Sequence, residues 1–138
     1  MMRNFFGIIF IIAFSLTSCS SSDNDSGNSN STINPPIWIQ GTWLLEGSNA
    51  QSGYRFANDD FCLVLLTTQN CFKESIRLTE NSGAITNIKE QITDNNYSIE
   101  ITLASQILTY NFKKVTETQI EWTNSPLGDL TQAIYLKQ

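Results

Sequence analysis

From Ile37 onward, apolar and polar residues alternate with a period of two. Ile99, Ile101 and Leu103 alternate with Ser98, Glu100 and Thr102, and Leu108, Tyr110 and Phe112 alternate with Thr109, Asn111 and Lys113. Ile120 and Trp122 alternate with Gln119 and Glu121. Strict alternation rich in β-branched and aromatic residues predicts half-buried antiparallel strands. Turn signals separate the runs at Asn81-Ser82-Gly83, Asp94-Asn95-Asn96 and Thr116-Glu117-Thr118, and over 124–129 with Pro126 and Gly128. The pattern predicts about eight strands, near 38–46, 53–57, 61–66, 71–78, 84–92, 97–104, 107–114 and 118–123, with a ninth at 132–137. In that last run Ile134 and Leu136 are expected inward and Tyr135 outward. The stretch FCLVLL at 61–66 reads either as a buried strand or as one turn of helix capped by Asp59. No segment predicts a convincing helix or a βαβ crossover. The expected fold is therefore all-β, a small antiparallel up-and-down β-barrel of about eight strands, with a β-sandwich as the alternative. Barrel closure would also remove exposed sheet edges.

The chain ahead of this pattern divides in two. Residues 1–18 carry a short head with Arg3, an apolar core over 5–16 and a small-residue end, the layout of an export signal. A bilayer-spanning helix needs about 20 apolar residues, so the core is too short to stay as an anchor. Residues 20–36 are rich in Ser, Asn and Gly, cannot bury enough surface to offset ordering, and predict a tether with a reach on the order of 20–25 Å. Pro35 and Pro36 stiffen its end. Between the two parts, Leu16-Thr17-Ser18-Cys19 resembles the lipobox of bacterial lipoproteins. That resemblance implies cleavage before Cys19, a diacylglyceryl group on its thiol and acylation of its amine, and so a membrane partner reached through the lipid. Several acyl chains on one residue make a stable anchor. Ser20 after the cysteine implies the outer membrane in lipoproteins of this type. The acidic SDND at 22–25 is similar to tracts of surface-exposed lipoproteins in Bacteroidetes, and the periplasmic and outer faces both stay open. The organisation is then 1–18 signal, 19–36 lipidated cysteine and tether, and 37–138 β-barrel domain.

Composition narrows the function classes. Loss of residues 1–18 removes Arg3 and no acid, leaving 7 Lys/Arg against 13 Asp/Glu, a net of −6. That balance argues against nucleic acid and against tight attachment to anionic headgroups. With Cys19 lipidated, Cys62 and Cys71 remain in an oxidising compartment, where they are expected to form a disulfide. Such a bridge contributes roughly 2–3 kcal/mol through chain entropy. The chain contains no His, which removes Ser-His-Asp and Cys-His arrangements, and two thiolates alone make a poor zinc site. Asn58-Asp59-Asp60 matches no calcium-loop spacing and reads as a turn cap. No Gly-rich loop suited to phosphate is present. Neither an enzyme nor a cofactor is expected.

Gly41-Thr42-Trp43, opening the first strand after a polar tether, resembles the Gly-x-Trp start of lipocalins, and the closing hairpin and final strand are similar to those of small lipocalin-like lipoproteins. The resemblance implies that Trp43, with Gly41, plugs the closed end of a barrel under a basic side chain. Lys137 is the candidate cover, a Lys where the family usually has Arg, so the contact is expected to be weak or absent. The family's middle Thr-Asp-Tyr motif is not visible, and residues 37–138 are fewer than a full lipocalin. The implied function is binding of a small amphipathic molecule or glycan in an open cavity lined by Tyr54, Ile101, Tyr110 and Trp122. The alternative is a protein-interaction module, an accessory subunit or inhibitor, with a filled interior and an exposed apolar patch around Trp38 and 124–130. That sequence leaves its protein partner unspecified.

Overall fold

The structure is a computed structural model that describes residues 31–48, 51–126 and 132–138. The predicted signal, Cys19 and the tether up to residue 30 lie outside these described residues. Nine strands are present: β1 (Gly41–Leu45), β2 (Ser52–Phe56), β3 (Phe61–Leu65), β4 (Thr68–Cys71), β5 (Thr86–Ile92), β6 (Asn96–Leu103), β7 (Gln106–Thr116), β8 (Gln119–Trp122) and β9 (Ile134–Lys137). One helix, α1 (Phe72–Asn81), stands between β4 and β5. The chain is all-β.

All nine strands form one antiparallel sheet in the order β4-β3-β2-β1-β9-β8-β7-β6-β5. Each strand therefore pairs with its sequence neighbours, and β9 returns to pair with β1. The break in this cycle falls between β4 and β5. Strands β2 and β7 stand four places apart, roughly 19 Å in a flat sheet. Yet the rings of Tyr54 on β2 and Phe112 on β7 are 5.0 Å apart, and Phe61 on β3 meets Tyr110 at 5.0 Å. The sheet is curled so that its two halves face each other, a half-barrel consistent with the up-and-down arrangement rather than with two stacked sheets.

Helix α1 lies at the break and packs on β3, β5 and β6. It corrects two sequence expectations: residues 71–78 are not a strand, and a helix of ten residues does form. Phe72 and Ile76, one helical turn apart, are its buried positions, while Lys73, Glu74 and Arg77 face water. Cys71 offers no side-chain cap. The carboxylate of Asp60 serves instead, accepting the Lys73 N–H at 3.0 Å as well as the Phe61 N–H at 2.8 Å. The cap expected of the Asn58-Asp59-Asp60 turn is thus real but acts on α1, and 61–66 is strand rather than helix. Gly83, at φ 78°, ends α1 as Ala84 N–H bonds back to Thr79 O at 3.2 Å and Gly83 N–H to Glu80 O at 2.9 Å.

The expected alternation holds in β6, where Tyr97, Ile99 and Ile101 are buried, and in β7 and β8 at Phe112 and Ile120. In β9 it is inverted: Tyr135 is buried, whereas Ile134 and Leu136 are only half-buried. All three are apolar, so the pattern gave no phase. Pairing with β1 supplies it, by setting Tyr135 opposite Leu45 and Lys137 opposite Trp43.

The two ends of the half-barrel differ. One is closed by the N-terminal segment, where a 3₁₀ turn over Ile37–Ile39 buries Ile39. Ile33 is already core at 2% exposure, so packing begins four residues ahead of residue 37. The Asn34 N–H bonds both oxygens of Glu90, at 3.0 and 3.1 Å, and Glu90 also accepts the Tyr97 hydroxyl at 2.6 Å. Trp38, expected at an exposed rim, is half-buried against the core, with its Nε1 donating to Thr93 O at 3.1 Å. The other end carries the β3–β4 and β6–β7 turns and the ends of β1 and β8, and we call it the mouth.

Cys62 and Cys71 form a disulfide, with Cα atoms 4.0 Å apart on directly paired positions of β3 and β4. β4 has four residues and one strand neighbour, so the bridge is its main tie besides the hairpin. Reducing it is expected to lower the thermal midpoint by about 10 °C, corresponding to roughly 2–3 kcal/mol. An unchanged midpoint would show that strand pairing alone holds β4.

Candidate functional site

Three of the four residues expected to line a cavity are brought together, but as packing. Tyr54 is buried and its ring meets those of Tyr110 at 6.1 Å and Trp122 at 5.6 Å, while Tyr110 and Trp122 stack at 5.8 Å. Phe56, Phe61, Phe112 and Tyr135 complete the cluster around Tyr54. Ile101 is fully buried two register pairs further along, opposite Leu108, where Ile99 on the same strand faces Tyr110. The positions expected to face a hollow interior are therefore occupied by one another. The physical reason is size: a small barrel has just enough room for its own inward side chains.

The tyrosines at this centre are chemically quiet. Burial, then the adjacent Tyr135 hydroxyl with which it shares a hydrogen bond, pushes the Tyr54 phenol far above its ordinary value. Burial, then the Glu90 carboxylate, does the same to Tyr97. Burial also raises Tyr110 and Tyr135. These phenols are held neutral, Tyr97 donating to Glu90 and Tyr54 to Tyr135.

Concave space is found at the mouth. A cavity of about 410 Å³ lies where β1, β8 and β9 end, with Leu45, Trp122, Pro126, Ala133 and Tyr135 as its apolar wall. Glu46, Ser125 and Gln132 supply its polar groups. This size falls within the range of small-molecule sites. Of the residues expected to bind ligand, Trp122 lines it. Leu45 and Ala133 were missed because they join Trp122 and Tyr135 only through the β9–β1 and β9–β8 pairings, which no local spacing encodes. The Trp122 indole has a further property: its Nε1 is buried and has no hydrogen-bond partner among the described residues. Buried donors are nearly always paired, so this one is an exception.

At the closed end Trp43 is fully buried and its Nε1 donates to Ile39 O at 2.6 Å, fastening the 3₁₀ turn across the end. Lys137 Nζ lies 5.1 Å from the Trp43 ring centroid, so the cation contact forms with Lys in place of Arg. Gly41 leaves room for it, because a Cβ there would stand 2.9 Å from Lys137 Cε.

Asp60, Cys62 and Cys71 bring potential ligand atoms within 4.8 Å of one another. The disulfide consumes both thiolates and the Asp60 carboxylate is engaged by two backbone donors, so this donor set does not suit a metal. No helix among the described residues is long and apolar enough to cross a membrane. No protein-family model, curated protein or solved structure matches the chain.

Proposed function

We propose that this protein is a lipoprotein anchored to the outer membrane through Cys19, whose lipocalin-like domain binds a small amphipathic molecule at its mouth. The anchor rests on the order of basic head, short apolar core, Leu-Thr-Ser-Cys and polar tether. The lipocalin-like reading is supported by Trp43 at the closed end under Lys137. The observation that carries ligand binding is the mouth cavity, with its apolar wall of Leu45, Trp122, Ala133 and Tyr135 and its polar groups Glu46, Ser125 and Gln132. An apolar body would lie on Trp122 and Tyr135, and a hydrogen-bonding head would meet Glu46 or Gln132. A glycan is the less suitable occupant, since that wall is mostly apolar. The domain acts as a holder, not as an enzyme.

N-phenyl-1-naphthylamine, a neutral amphipathic fluorophore, is expected to bind the full chain saturably with a micromolar Kd. Leu45→Trp, which narrows the cavity, should weaken that binding at least tenfold. Unaltered affinity in this variant would place the dye elsewhere and remove the cavity as the site. The protein-interaction reading, in which the domain acts through its outer surface, draws on a separate observation, the filled aromatic interior.

A further inference from the structure

The path of the N-terminal segment bears on which end of the domain faces the anchor. Ser31 hydrogen-bonds the carboxylate of Glu80, near the end of α1, and the same carboxylate accepts the hydroxyl of Thr86 at 2.8 Å. Thr86 begins β5 opposite Leu103, at the mouth. From there the chain passes Glu90 at Asn34 and reaches the closed end at Ile39. Ser31 and Thr32 also line a small cavity with Asp59 and Lys73 at the start of α1, so the segment lies along α1 between the closed end and the mouth. Residues 20–30 separate Cys19 from Ser31, and eleven such residues span about 17–20 Å. A strand the length of β5 is itself about 23 Å long, so the anchor keeps the mouth turns within reach of the bilayer.

The two ends also differ in chemistry. At the mouth, residues 65–68, 82–86 and 103–107 contain no charged side chain. They expose Leu65 (58%), Leu66 (59%), Ile85 (75%) and Ile107 (64%), and Leu78 in the last turns of α1 adds to them. Ile85 O accepts the Ala104 N–H at 2.8 Å, which joins the last two turns side by side. Among the described residues, the acids on this side are Glu46 at the cavity and Glu80, already engaged. The closed end exposes Ile37, Ile92 and Val115, but among Asp59, Asp94, Lys113 and Glu117. Exposed leucines and isoleucines concentrated on turns that carry no charge are unusual on a protein that stays in water.

We propose that the mouth end docks onto the lipid surface through Leu65, Leu66, Ile85 and Ile107, so that the cavity opens toward the bilayer. This rests on acylation of Cys19, which supplies the bilayer within reach. Apolar side chains enter the boundary between headgroups and acyl chains, and a short tether keeps their local concentration high. With no cation at this end the contact needs no anionic lipid and is insensitive to salt. The ligand class follows: a lipid or other amphipath that passes between membrane and cavity without crossing water.

The test is hydrogen exchange of the full acylated chain in neutral phosphatidylcholine vesicles against the same chain in detergent micelles. Palmitate labelling at Cys19 is read separately. Amides of 65–68 and 104–107 are expected to exchange at least threefold more slowly on vesicles, while those of 57–60 and 116–118 do not change. Leu66→Asp combined with Ile107→Asp should abolish the difference and leave palmitate labelling and the thermal midpoint unaltered, because both sites are exposed and aspartate tolerates the positive φ of Leu66. A labelled chain with equal exchange at both ends overturns the docking and leaves the anchor standing. A chain that takes up no palmitate removes the anchor and the docking together. Protection that grows with protein concentration in the absence of vesicles assigns the end to a second copy and overturns the lipid surface.

Discussion

Gly53→Ala is expected to destabilise the domain by about 3 kcal/mol or more. Gly53 faces Leu44 across the β1–β2 ladder. A Cβ there would stand 1.9 Å from Trp43 O, 2.9 Å from Trp43 C and 3.0 Å from Leu44 Cα. All three are backbone atoms, so no rotamer relieves the contact and the strands must part. Parting them moves Trp43, the buried side chain that fastens the closed end, and Tyr54, the centre of the aromatic cluster. A fall in the thermal midpoint of more than about 10 °C is the expected result, read by circular dichroism. Arg55→Ala, two residues away and exposed, should stay within about 0.5 kcal/mol of the parent. A Gly53→Ala variant as stable as the parent would mean that β1 and β2 do not pair in this register.

The second large effect is alkaline. All four tyrosines, Tyr54, Tyr97, Tyr110 and Tyr135, have phenols raised by burial. In the unfolded chain each ionises near pH 10. Because the folded values lie higher, the associated stability is complete below pH 10 and is lost as pH rises above it. Tyr54 and Tyr97, the two most deeply buried, each withdraw roughly 1.4 kcal/mol per pH unit, so by pH 12 the pair removes on the order of 5 kcal/mol. That is a large share of a small domain's stability. Tyrosinate absorbance at 295 nm should therefore rise in one cooperative step above pH 11, coincident with loss of the near-ultraviolet dichroism. Smooth titration centred at pH 10 with the fold intact would show that the phenols meet solvent and that the cluster is not closed.

Much of the sheet was legible because its strands have two unlike faces. Ile99 and Ile101 beside Ser98 and Glu100 leave no ambiguity, and those residues are placed as their alternation implies. Where the faces are alike the signal fails, as in Ile134-Tyr135-Leu136, whose phase comes from β1. The helix was overlooked for a different reason. Phe72 and Ile76 stand four apart, the helical interval, with Glu74 and Arg77 paired at 2.6 Å beside them, but the run is short and follows a strand that ends in Cys71. The disulfide was legible in the short spacing of Cys62 and Cys71. Of the mouth cavity, Trp122 alone was expected to line a ligand site, since its partners Leu45 and Ala133 lie far from it along the chain. The interior expected to be hollow is filled, a consequence of how many rings the sequence points inward.

The position of β9 has a consequence for the order of events in folding. It is the last strand in the chain and the fifth of nine in the sheet, with β1 and β8 as its partners. A chain stopped ahead of Ile134 holds two four-stranded pieces with no strand to join them. The domain thus cannot assemble while it is being made, and its slow step must be a closure spanning almost the whole sequence. For a chain exported as proposed above, a fold that waits for β9 keeps the polypeptide threadable until translocation is complete.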